Sequence, residues 1–217
     1  MKDASSWDEL YKKQDIKKLP WFNPKLDFDL QEFILKYNAE KSSILNLGES
    51  PGTQAVELSK LGFEVTAIDI SRNAIEKARK LAKKNKVIVD FRIDNVINIK
   101  IKKKFDYIFD RGCFHVLNPN ERERYIKNVY SLLNKKGYLL LKCFSYKEKD
   151  YGPSRFRPSE IEFYFSRKFR ILDIIETSFN VDKKKKHPIT LFIIMRKWEK
   201  KDCIWYLILL TCWISFL

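Results

Sequence analysis

The chain has 217 residues, 45% of them apolar and 33% charged, with a formal net charge of +15 at pH 7. Six glycines and seven prolines exclude collagen-like or low-complexity character, and an aromatic content of 14% is too rich for a disordered chain. That length suits one domain, or one with a small appendage.

Residues 1–40 read as a helical preface. The opening run, Met1-Lys2-Asp3-Ala4-Ser5-Ser6-Trp7-Asp8-Glu9, carries no apolar core of the secretory type, so a cytoplasmic location is expected. Ser43 to Leu47 reads as a buried strand followed by a glycine-bearing turn. Thr53 to Leu61 reads as a helix closed by Gly62, and Phe63 to Asp69 as a second strand. Ser71 caps a helix whose Ile75, Ala78, Leu81 and Ala82 share one face. Strands at Val87 to Ile93 and Phe105 to Asp110 follow. Asn118-Pro119 then starts a helix bearing Ile126, Val129, Tyr130 and Leu133 on one stripe, with Gly137 as its terminator. Tyr138 to Phe144 is a fifth strand, Ser159 to Phe165 a short helix, and Phe169 to Thr177 with Ile189 to Arg196 a terminal hairpin. This alternation predicts an α/β fold: a Rossmann-like, doubly wound, mostly parallel seven-stranded sheet with helices on both faces and an antiparallel C-terminal strand. The α/β unit is expected over 41–201, with an apolar tail at 202–217 outside it.

In such sheets a ligand sits beyond the carboxyl ends of the strands, where strand order reverses. The first strand leads into Gly48-Glu49-Ser50-Pro51-Gly52, and Asp69 ends the second strand. An acidic residue there can accept hydrogen bonds from both ribose hydroxyls. A dinucleotide fingerprint asks for G-x-G-x-x-G, and this register offers Gly48, Ser50 and Thr53. The spacing therefore favours an adenosyl ligand over NAD; an ordinary glycine turn is the other reading.

Leu45-Asn46-Leu47-Gly48-Glu49-Ser50-Pro51-Gly52, together with Phe63 to Ser71, resembles motifs I and II of class I S-adenosylmethionine-dependent methyltransferases. Asp110-Arg111-Gly112-Cys113-Phe114, Asn118-Pro119, Ser131-Leu132-Leu133, Ser145-Tyr146 and Gly152-Pro153-Ser154-Arg155-Phe156-Arg157-Pro158-Ser159-Glu160-Ile161-Glu162 resemble its thiopurine S-methyltransferase branch, which includes thiol, halide and tellurite methyltransferases. Trp7-Asp8, Tyr11 and Pro20-Trp21 fit that branch's cofactor-covering preface. Motif I departs from the family pattern: Asn46 stands where an acid is usual, Ser50 where the second glycine is, and Pro51 follows.

The resemblance implies S-adenosylmethionine as cofactor. It places Gly48, Glu49, Ser50 and Gly52 along the methionine moiety, Asp69 on the ribose, Ile70 on adenine, and Asp94 and Asn95 at the adenine amino group. Tyr11 and Trp21 would close over the sulfonium cation. The implied reaction is methyl transfer to a small soft nucleophile such as a thiol or chalcogen. Arg111 is the candidate to stabilise the acceptor anion. Asp110 would orient Arg111 or border the methyl donor, and His115 would take a proton or simply pack in its loop. Cys113 reads as structural. Tyr151 to Pro158 resembles a lid over the acceptor, with Arg155 and Arg157 either on an anionic substrate or solvated.

Four cysteines without ladder spacing and two histidines leave no expected metal site, and the thiols read as reduced. Lysines at 83–84, 102–104 and 183–186 are dispersed over helix faces and turns, which reads as solvated surface in preference to a nucleic-acid footprint. An RNA or protein methyltransferase and a degenerate cofactor-fold binding protein stay open as alternatives. The segment 203–217 is apolar and follows a basic stretch; membrane contact, packing on the domain or a partner, and a loose extension all remain open. Oligomeric state is not legible.

Overall fold

Runs such as Leu139-Leu140-Leu141 lack polar alternation, which suits strands covered on both faces. In the computed structural model, which describes residues 3–19, 21–39, 41–179 and 187–198, all three of these leucines are fully buried. They belong to a seven-stranded sheet. Its strands are β1 (Ser43–Leu47), β2 (Glu64–Asp69), β3 (Asp90–Ile93), β4 (Phe105–Arg111), β5 (Leu133–Phe144), β6 (Phe169–Ser178) and β7 (Ile189–Lys197). Their order is β3-β2-β1-β4-β5-β7-β6. The first five are parallel, and β7 is antiparallel to both β5 and β6. This is the expected Rossmann-like sheet, with β7 as its one reversed strand.

The helices are α1 (Ala4–Lys13), α2 (Phe28–Lys36), α3 (Thr53–Lys60), α4 (Arg72–Asn85), α5 (Pro119–Leu132) and α6 (Pro158–Phe165). β1 shows how two layers form, because successive side chains point to opposite faces. Ile44 joins the layer under α2, α3 and α4, whereas Leu45 and Leu47 join the layer under α5 and α6. α2 buries Leu30 and Phe33 in the first layer, so part of the preface belongs to the sheet's own core. α1 lies elsewhere: Tyr11 packs with Leu19 and Ala74, beside Trp7 and Trp21.

Helix starts follow their sequence signals. Ser71 Oγ accepts from the Ala74 amide at 3.1 Å, and Glu121 Oε2 accepts from the Asn118 amide at 2.9 Å to complete a capping box. Two boundaries differ from expectation. α5 stops at Leu132 because Leu133 already pairs with Phe105, so Gly137 lies within β5 and terminates nothing. β3 begins at Asp90, since the Val87 amide still donates to the Ala82 carbonyl after Lys86 turns left-handed at φ 57°.

Residues 203–217, Lys183 to Lys186 and Pro20 lie outside the described residues, and so does the apolar tail. Among the described residues no helix is long and apolar enough to cross a membrane.

Candidate functional site

Strand order reverses between β1 and β4, and their carboxyl ends diverge there. A cavity of about 490 Å³ opens at that point. Gly48 and Ser50 form its floor after β1, Asp69 and Ile70 after β2, and Asp94 and Asn95 after β3. Trp7, Tyr11 and Trp21 roof one end. Trp7 stacks on Tyr11 at 6.2 Å and meets Trp21 edge-on at 5.9 Å.

The turn after β1 needs three left-handed residues: Gly48 at φ 61°, Ser50 at φ 52° and Gly52 at φ 88°. Glycine adopts this region without strain, and a side chain costs about 1 kcal/mol there. A Cβ at Gly48 would also lie 2.4 Å from Cys113 Sγ, and one at Gly52 would lie 2.7 Å from the Ala78 backbone. Ser50 is the one residue of the three that carries a side chain in this backbone region, and it bears the strain of doing so.

Asp69 is 7% exposed. Its Oδ2 accepts from the Ser50 amide at 3.0 Å and its Oδ1 from the Ser71 amide at 2.8 Å. Burial raises its pKa to about 6, against the lowering effect of those amides. Asp94 accepts from the Asn95 and Lys100 amides at 2.8 and 2.9 Å, and Asn95 Oδ1 accepts from the Ile97 amide at 2.9 Å. The two fold their loop into the cavity wall.

Several expected roles change. Asp110 is fully buried and does not line the cavity. It accepts from the amides of Gly112, Cys113 and Phe114 and from the Tyr125 hydroxyl at 2.5 Å, so it holds the turn after β4 and acts neither on Arg111 nor on the methyl donor. Glu49 and Gly52 also lie outside the main cavity. Glu49 turns toward α3, where Oε1 accepts from the Ala55 amide at 3.1 Å, and Gly52 packs on α4.

Arg111 reaches the cavity wall but is a brace. Its Nε donates to Asp27 at 2.7 Å, one terminal nitrogen to the Trp21 carbonyl at 2.8 Å, and the other to the Phe179 carbonyl. Asp27, which Lys142 also contacts, pairs with its guanidinium. His115 lies in the wall between Phe144 and Phe179, with ring centroids 4.2 and 5.8 Å away. Burial, helped by Arg111, lowers its pKa to about 3, so it is neutral at pH 7 and a weak base. Burial raises the Cys113 pKa, which keeps that thiol protonated. Tyr151, Gly152 and Pro153 line the cavity as the lid, whereas Arg155 bonds the Tyr151 and Lys149 carbonyls and Arg157 stacks on Tyr146; neither arginine reaches the cavity.

Sequence reasoning missed Asp27, Lys142, Phe144 and Phe179. Lys142 donates to both Asp27 oxygens at 2.9 Å and to Asp29 at 2.5 Å, fully buried behind Arg111. A lone charge inside an apolar strand was the only available signal for it. Among the described residues no group of three His, Cys, Asp or Glu side chains could hold a metal.

The family profile described as a methyltransferase domain matches residues 44–137. An uncharacterized methyltransferase of Schizosaccharomyces pombe is 30% identical over 125 residues, covering 57% of this chain and 83% of that protein. A ubiquinone biosynthesis O-methyltransferase of Pelagibacter ubique is 31% identical over 144 residues, covering 63% of this chain and 59% of that one. The structure of a Burkholderia thailandensis 1,6-didemethyltoxoflavin-N1-methyltransferase, with 1,6-didemethyltoxoflavin and S-adenosylhomocysteine bound, superposes with a TM-score of 0.74 at 18% identity, over 90% of this chain and 87% of that one. The chain belongs to the class I S-adenosylmethionine-dependent methyltransferases. It is an enzyme of that class with S-adenosylmethionine as cofactor, and the left-handed cradle, the Asp69 carboxylate and the aromatic roof fit that ligand.

Proposed function

We propose that the chain methylates a small soft nucleophile, sulfur or another chalcogen, that reaches the site without help from a protein base. S-adenosylmethionine supplies a methyl group on a sulfonium, already activated for in-line displacement. The residues then have to align the acceptor and exclude water. In this reading Asp69 holds the ribose, Ile70 with Asp94 and Asn95 the adenine, and Trp7, Tyr11 and Trp21 cover the sulfonium.

The observation that carries the acceptor reading is the far wall of the cavity. His115, Phe144 and Phe179 make an aromatic surface whose one titratable group is uncharged at pH 7. Asp110 is closed off and Arg111 is matched by Asp27, so neither activates a hard acceptor. The motifs at Asp110 to Phe114 and Gly152 to Glu162 support the thiopurine S-methyltransferase-like branch. The Pelagibacter relative's name points instead to an oxygen acceptor, so quinols belong in the test.

A screen with labelled S-adenosylmethionine against thiols, chalcogen anions, halides, quinols and tRNA decides it. Transfer to a thiol or chalcogen, lost in His115→Asp, is the expected outcome. Transfer confined to quinols or tRNA would overturn the soft-acceptor reading.

A further inference from the structure

The cavity occupies the carboxyl ends of the parallel strands. The opposite pole of the sheet, where those strands begin, gathers cations that look scattered in the sequence. Lysines at 102–104 lead into β4, Lys135 and Lys136 stand near the start of β5, and Arg167 precedes β6. β7 runs the other way and therefore ends here, on Arg196 and Lys197. Strand pairing fixes the cluster: Phe105 aligns with Leu133, Tyr138 with Arg196 and Phe169 with Lys197. Lys197 Nζ donates to the Leu133 carbonyl at 2.6 Å, and burial together with the neighbouring charge of Lys104 lowers its pKa.

Little at this pole balances them. Lys103 pairs with Glu64 at the start of β2, and Asp106 is taken up by Ser43 and Asn134. Lys102, Lys104, Lys135, Lys136 and Arg167 are exposed, and among the described residues none of them has a carboxylate within ion-pair distance. Exposed apolar side chains stand at the same pole: Ile88, 92% exposed, just before β3, and Phe163, 73% exposed, in the last turn of α6. The described chain leaves this pole at Trp198, whose amide donates to the Lys168 carbonyl at 3.1 Å. In the sequence that follows, Lys200 and Lys201 stand against Glu199 and Asp202. Residues 203–217 then hold only Thr211 and Ser215 outside the apolar class, with Trp205 and Trp213 among the rest.

We propose that this amino pole docks on the surface of an anionic phospholipid bilayer, with its cations on the headgroup phosphates and the apolar C-terminal segment in the interface. Each basic residue near such a surface strengthens binding about fivefold. A bilayer core takes about 20 helical residues to span, so a segment of this length reaches the interface without crossing it. Either signal alone binds weakly, and the two together anchor. A nucleic acid would use the cations and leave the apolar segment in water; a bilayer uses both. The seven residues of β4 set the pole about 20 Å from the cavity floor, so a docked chain opens its cavity to the aqueous side. This inference is independent of the cofactor and of the acceptor.

The test is co-sedimentation of the full chain with vesicles of phosphatidylcholine alone and of equal parts phosphatidylcholine and phosphatidylglycerol, beside a tRNA-binding measurement. Binding should require the anionic lipid and weaken as salt rises. Lys135→Glu, Lys136→Glu and Arg167→Glu together should lower vesicle affinity about 100-fold. Lys12→Glu, Lys17→Glu and Lys149→Glu together change the net charge equally on the preface and beside the lid, and should cost less than about tenfold. Trp205→Ser with Trp213→Ser should remove the binding that survives high salt. Acetylation of the unaltered chain, read by mass spectrometry, decides the matter if the variants fail to fold: anionic vesicles should shield Lys102, Lys135 and Lys136 and leave Lys12, Lys17 and Lys149 reactive. Absence of binding to anionic vesicles by folded chain would overturn the proposal. So would equal binding to neutral vesicles, equal losses from the two charge-reversed sets, shielding that ignores the pole, or binding confined to tRNA.

Discussion

Two groups of buried charge flank Arg111, and they are built on opposite plans. Behind it, Asp27 and Asp29 meet Lys142 and Arg111 in a cluster whose two negative and two positive charges cancel. In front, Glu49 is buried and Asp69 sits on a cavity wall, and neither enters an ion pair among the described residues. Burial raises the acids of the second group, whereas in the first the Lys142 and Arg111 cations overcome burial and hold Asp27 below the usual carboxylate range. A satisfied polar cluster fixes structure; an unsatisfied one at a cavity is the mark of a missing guest.

The largest effect that would break this comparison is on the satisfied side. Lys142→Met leaves Asp27 and Asp29 together in the interior with only Arg111 to balance them. Losing one partner of a buried ion pair costs about 3–5 kcal/mol. A melt followed by circular dichroism should show Tm falling by about 10 °C; an unchanged Tm would mean the cluster contributes little.

On the unsatisfied side the loss should fall on binding. Asp69→Ala removes the charged acceptor proposed for the ribose, worth about 1.5–3 kcal/mol, or roughly 10- to 100-fold in S-adenosylhomocysteine affinity. The pH dependence has a definite sign. The ribose needs the carboxylate, so affinity should fall more steeply as pH drops through about 6 in the unaltered chain than in the variant. Calorimetry that finds equal affinities for the two chains would remove Asp69 from the site.

The smallest effect sharpens the picture of the cradle itself. Ser50→Gly relieves a left-handed serine at φ 52° and should stabilise the ligand-free protein by about 1 kcal/mol. The amide that donates to Asp69 is retained, so binding should hold. A stability loss on chemical denaturation would show that the serine side chain contributes contacts that outweigh its strain.

The sequence made the scaffold legible where the signal is local. The strand runs, the Ser71 cap and the Asn118-Pro119 start all rest on neighbours within a few residues. The Gly48–Asp69 pairing was legible because one βαβ unit spans it. The ion cluster was not: Asp27 and Lys142 are 115 residues apart, and no periodicity links them. Arg111 and Asp110 were correctly placed at the end of β4, but their duties depend on what the chain brings alongside. Trp21, Asp27 and Phe179 come from distant segments, so Arg111 reads as free until the fold closes around it. Gly137 misled for a different reason: strand pairing at Leu133 stopped the helix first.

One serine ties the roof of the cavity to its floor. Ser71 donates its amide to Asp69 Oδ1 at 2.8 Å and its hydroxyl to Asp8 Oδ1 at 2.7 Å, while Asn73 holds the same aspartate from its own amide at 2.8 Å. A single serine thus touches both the carboxylate proposed for the ribose and the covering helix α1. The floor and the roof of the cavity are thus two hydrogen bonds apart, joined by the residue that caps α4.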